Sequence, residues 1–142
     1  MNDEEKKINN LQLLQEPICR MSSTSAVFKG FSAALLAGLA SATMADISII
    51  ALIIGLLPVF SFFFLDVYYF RLERKLRFRY NQIADGQRNI DYKIDTNLNK
   101  DEIKLAKAGF GQCVLSPSIL LFYIPVFICV FFLIFFRIIG VI

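Results

Sequence analysis

The sequence predicts an all-α membrane protein with three transmembrane helices, an antiparallel hairpin followed by a C-terminal span, and a small cytoplasmic loop region. Three observations carry that prediction. Apolar residues make up 56% of the 142-residue chain and 15 residues are Phe, above the usage of soluble domains. They gather in three blocks, each long enough at about 1.5 Å per residue to cross a hydrocarbon core of about 30 Å. The cations cluster elsewhere, with ten of the 15 Lys and Arg residues between Arg71 and Lys107.

The inventory also excludes chemistries. With no His, there is no His general base, triad or metal ligand. Cys19, Cys113 and Cys129 form no CxxC pair, which argues against a zinc ribbon or a thioredoxin-type site, and the odd count suits a reducing compartment or the lipid phase. A net charge of +3 does not point to nucleic acid. No set of nucleophiles and carboxylates suggests an enzyme, and no catalytic, cofactor or metal residues are assigned.

Residues 1–25 read as a cytoplasmic amphipathic segment rather than a signal peptide, because Asp3, Glu4 and Glu5 stand beside Lys6 and Lys7. Ile8, Leu11, Leu14 or Gln15, and Ile18 follow helical spacing, which predicts a short helix at the membrane surface. Pro17 is expected to break it or to start a second helix. The hairpin occupies residues 26–70. Its first span, Ala26 to Ala45, carries Gly30, Ala34, Gly38 and Ala42 at every fourth position. Such a stripe lets another helix backbone approach closely. The short turn favours the second span of the same chain as its partner, and another protomer is the alternative. Lys29 lies in the first turn, placed to snorkel.

Asp46 reads as the N-cap of the second span rather than an ion ligand. That span runs from Ile47 to about Tyr69, with Pro58 expected to kink it. The exit, LDVYYFRLERKLRFRY, extends the helix out of the membrane to about Gln82. Asp66, Tyr69, Glu73, Arg77 and Tyr80 share one face, and Glu73 precedes Arg77 by a helical turn. A carboxylate at the membrane edge pairs with a cation as a rule, so Asp66 is expected to form an ion pair with Lys29 or Arg20. Arg20, Lys29, Asp66, Tyr69, Glu73, Arg74 and Arg77 are thus the candidate membrane-edge polar network.

Residues 71–116 form a basic helix extension and loop. Asp85-Gly86 marks a turn. Ile90, Tyr92 and Ile94 alternate with Asp91, Lys93 and Asp95, the spacing of a lone strand or an extended loop. Asn99 and Glu102 form a capping-box pattern for a helix from Lys100 to Ala108, closed by Gly109. Residues 117–142 are the last span, with Pro125 as a second kink, Phe127, Phe131 and Phe135 on the expected lipid face, and Arg137 near the end. The cation bias places the N-terminus and the 71–116 loop in the cytoplasm and the C-terminus outside.

Three pieces of the chain resemble a family of small bacterial multi-pass membrane proteins. The first is Gln15, Ile18, Arg20, Met21, Ser25, Lys29, Gly30 and Phe31, where relatives commonly carry Trp in place of Phe31. The second is Leu65-Asp66, Tyr68-Tyr69 and Glu73-Arg74, continuing to Phe78, Arg79 and Tyr80, similar to LDxYYLxxERxFRxLY. The third is Ser116 to Tyr123. The resemblance implies a bacterial inner-membrane protein similar to the transmembrane effectors of anti-phage defence, which disrupt the membrane of infected cells; that implication is analogy at family level. The expected function is therefore an oligomerising effector that permeabilises the inner membrane. The alternative is a non-catalytic anchor or subunit that docks a cytosolic partner through residues 71–116. The expected partners are the lipid bilayer, further copies of the chain and a cytosolic sensor or regulatory protein.

Overall fold

A computed structural model describes residues 3–43, 45, 48–89 and 92–140. The described residues form five helices: α1 (Asp3–Thr43), α2 (Ile49–Ala84), α3 (Lys100–Leu105), α4 (Phe110–Val114) and α5 (Pro117–Ile139). Three helical stretches are long and apolar enough to cross a membrane. Asp46 lies outside the described residues. The capping contact at the start of α2 comes from Ser48, whose Oγ accepts the Ala51 N–H at 3.3 Å.

The chain divides into two compact units, one of residues 1–25 and 68–113, the other of residues 26–67 and 114–142. In the first, Leu14 and Ile18 pack against Leu76 and Ile83, with Leu11, Met21 and Tyr80 around them. This corrects the expectation for the N-terminal segment. It is not a separate helix, and Pro17 lies inside an uninterrupted α1. An internal proline costs a helix about 3 kcal/mol, and the residues flanking Pro17 offset this by burying their side chains against α2. Ile8, placed on the apolar face by its spacing, is exposed.

Residues 92–99 form no strand; they run as irregular chain from Tyr92, which has φ 49°, to the start of α3. Ile90 and Asp91, the start of the expected strand, lie outside the described residues. The segment is held by side chains instead of a ladder. Arg79 donates from Nη2 to the Asn97 carbonyl at 2.6 Å and from Nη1 to Glu102 Oε1 and Gln82 Oε1, each at 2.9 Å. Asn99 N–H donates to Glu102 Oε2 at 2.9 Å, completing the capping box of α3. The helix ends earlier than its sequence pattern suggests. Lys107, not Gly109, takes the left-handed conformation, with φ 51°, and the Ala108 N–H reaches back to the Ile103 carbonyl at 2.9 Å, a closing bond of the Schellman type.

In the second unit Leu52, Leu56, Val59, Val126 and Val130 form the core, with Leu35, Leu36, Leu39, Phe122 and Ile134 packed on it. On α2 the inward positions are Leu52, Leu56, Val59, half-buried Phe63 and Asp66, an alternation of four and three residues that keeps one seam facing a partner helix. Phe127 is half-buried, its ring centroid 5.4 Å from that of Phe60 and 5.6 Å from that of Phe63. Phe131 and Phe135 do face outward, stacked at 5.9 Å.

Candidate functional site

The polar centre of the second unit is built from three helices. Lys29 and Ser32 are three residues apart and so share a face of α1. Asp66 occupies the last seam position of α2 within this unit. Ser118 and Tyr123 come from the first two turns of α5. Lys29 Nζ lies 3.5 Å from Asp66 Oδ2 and donates to Ser118 Oγ at 3.2 Å. Tyr123 Oη donates to the Phe62 carbonyl at 3.4 Å and has Asp66 and Ser32 beside it. Asp66 and Ser32 are 0% exposed and Tyr123 2%.

A carboxylate sealed from solvent is strongly disfavoured unless a cation and hydrogen bonds accompany it. Lys29 provides the charge, and its partly exposed stem leads the ammonium inward from the rim of the unit. The aromatic rings form the walls. Phe62 stacks on Phe28 at 5.8 Å and on Phe31 at 5.9 Å, and Phe63 meets the edge of Tyr123 at 4.9 Å. The arrangement ties three apolar helices together through one charge pair. No group of three or more His, Cys, Asp or Glu residues able to hold a metal occurs among the described residues.

Of the candidate network of the sequence, Lys29 and Asp66 meet at this centre. In the first unit Arg77 Nε bonds Glu73 Oε1 at 2.7 Å, the expected pair one helical turn apart. Arg74 lies over the Phe70 ring at 4.6 Å and donates to the carbonyls of Lys107 at 2.6 Å and Gln112 at 3.3 Å. Arg20 is exposed and lines a shallow recess with Leu13, Glu16, Pro17 and Ile94, and Tyr69 is half-buried against the edge of Tyr68. Ser32, Ser118 and Tyr123 were not candidates from sequence. For Ser32 and Tyr123 the signal is their 4-3 spacing with the inward residues of their own helices, whereas Ser118 is exposed and lies outside that register.

The small-residue stripe takes the opposite side of α1 from the one first expected. Gly30, Ala34 and Gly38 are exposed and Ala42 half-buried, and a Cβ added at Gly30 or Gly38 would meet nothing within 4 Å. Gly30 and Gly38 thus do not serve the packing of α1 on α2. The close approach there uses Gly55 of α2, where an added Cβ would lie 2.5 Å from Leu39 Cδ2. Both expected kink residues, Pro58 and Pro125, are exposed within continuous helices.

Comparison with family models, curated proteins and solved structures finds no match to this chain. The molecule is defined by its own features: three helices able to cross a membrane and a buried charge pair among them.

Proposed function

We propose that the protein is a multi-pass bacterial inner-membrane effector that associates with copies of itself through the Gly30, Ala34, Gly38 and Ala42 face and makes the membrane leak. The carrying observation is that open face: Gly30, Ala34 and Gly38 are exposed, and a Cβ added at Gly30 or Gly38 meets nothing within 4 Å. In lipid, where apolar burial does not drive helix association, close backbone approach over small residues is a principal source of it. In this reading the first two spans form an antiparallel hairpin, which the pairing of Leu39 with Gly55 and of Lys29 with Asp66 supports. The N-terminus and the 71–116 loop are cytoplasmic, which the cation bias supports.

The test is membrane potential, followed with a potential-sensitive dye during induced expression. Gly38→Leu projects into open space, so it leaves the protomer intact and is expected to reduce depolarisation at equal membrane levels. Gly55→Leu collides with Leu39 and is expected to lower thermal stability instead. Depolarisation by Gly38→Leu equal to wild type removes the stripe from the mechanism. Absence of depolarisation by wild type, alone and with its genomic neighbours, removes the effector reading.

One observation favours the second reading, a membrane anchor for a cytosolic partner. Arg74, Arg77, Phe78, Asn81, Leu105 and Ala106 line a recess that lies wholly within residues 71–116. Pull-down of a stoichiometric cytosolic protein, lost on changing Phe78 and Asn81, supports it.

A further inference from the structure

The turn that joins α3 to α4 is firmly built, yet it displays apolar side chains outward. Arg71 Nε donates to the Ala108 carbonyl at 2.9 Å. Arg74 Nη1 donates to the carbonyl of Lys107 in the same turn and to that of Gln112 in α4. Ala108 and Cys113 are fully buried beneath it. Two arginines of α2 are thus committed to backbone carbonyls, and the turn's shape is set by them. On its outside Leu105 is 74% exposed and Phe110 52%. Around these stand Lys100, Lys104 and Lys107, all exposed, against a single exposed carboxylate on α3, Asp101; Glu102 is engaged by Arg79 and Gln82.

A rigid turn carrying a large aliphatic side chain, an aromatic ring and three flexible cations has the make-up of an interfacial element, with apolar groups for the upper acyl chains and ammonium groups for lipid phosphates. It also precedes by seven residues the start of α5 at Pro117, the most apolar of the three candidate spans. We propose that this turn is an interfacial foot: Leu105 and Phe110 insert into the leaflet that α5 enters, and Lys100, Lys104 and Lys107 bind anionic phospholipid headgroups. The inference is independent of the effector reading and competes with the anchor reading, whose recess Leu105 also lines.

The native chain contains no Trp, so one introduced residue reports its own surroundings. Phe110→Trp and Leu105→Trp, each in the full chain, are reconstituted into vesicles of phosphatidylethanolamine and phosphatidylglycerol, and into vesicles of phosphatidylcholine alone. In the anionic vesicles the emission is expected to shift to the blue, to be quenched by lipids brominated on the upper acyl chain, and to resist iodide. Changing Lys100, Lys104 and Lys107 together to Gln moves it back toward the red. Quenching by iodide and not by brominated lipid overturns the proposal. So does shielding from both quenchers, which assigns the patch to a protein surface such as a second copy. Agreement of the two Trp positions, with unchanged helical circular dichroism, separates a lipid effect from misfolding of one variant.

Discussion

Glu102 illustrates what one residue does in the first unit. The Asn99 backbone N–H holds its carboxyl below the ordinary value of 4.5; partial burial opposes this, and Gln82 and Arg79 reinforce it. A depressed carboxyl adds stability that is complete above the unfolded value and is lost as pH falls through the folded one. The tie between α3 and α2 is therefore expected to loosen below pH 4.5. Amide hydrogen exchange over residues 95–106, corrected for intrinsic rates, is the measurement, and Glu102→Gln should flatten the profile. At this scale the sequence was partly legible. The Asn99 and Glu102 spacing is local and identified the cap, whereas Arg79 reaches both residues only because the chain folds back on α2.

At the scale of elements, the contact between the spans depends on which face of each helix turns inward. The conspicuous periodicity of α1, Gly30 to Ala42, marks the outward face. The inward one, with Ser32, Leu35, Leu36, Leu39 and Thr43 among its members, is less regular in hydrophobicity because Ser32 and Thr43 are buried polar residues. Asp66 was legible as an anomaly and Lys29 as one of two possible partners, but the choice between Lys29 and Arg20 belongs to tertiary structure. The buried pair leads to an energetic expectation. Lys29→Met leaves Asp66 enclosed without its cation and is expected to cost about 3 kcal/mol, the lower end for breaking a buried pair because Lys29 retains some exposure. The double change Lys29→Met with Asp66→Leu replaces both charges with apolar groups and is expected to recover most of that loss. Thermal unfolding in micelles compares the three proteins, and a double variant no more stable than the single one contradicts the expectation.

For the whole molecule, the three cysteines provide a test of orientation. Cys19 is exposed on α1; Cys113 is buried, and burial pushes its thiol up despite Arg74 and Arg71 nearby; Cys129 is exposed on α5. Only a thiolate in water reacts readily with a maleimide. A membrane-impermeant maleimide is therefore expected to label Cys19 in inside-out vesicles and to leave intact spheroplasts unlabelled. Labelling of Cys19 from outside reverses the topology. The sequence by itself determined that the chain is helical and carries three stretches able to cross a membrane. Block hydropathy is a local property and survives any choice of packing. Tertiary structure alone decided that α1 runs through Pro17, that Gly30 and Gly38 face open space, that Gly55 makes the close contact, and that Lys29, Asp66, Ser32, Ser118 and Tyr123 gather at one centre. These depend on helix rotation and on contacts between residues as much as 89 positions apart, and packing many side chains together, rather than any single residue's preference, sets them.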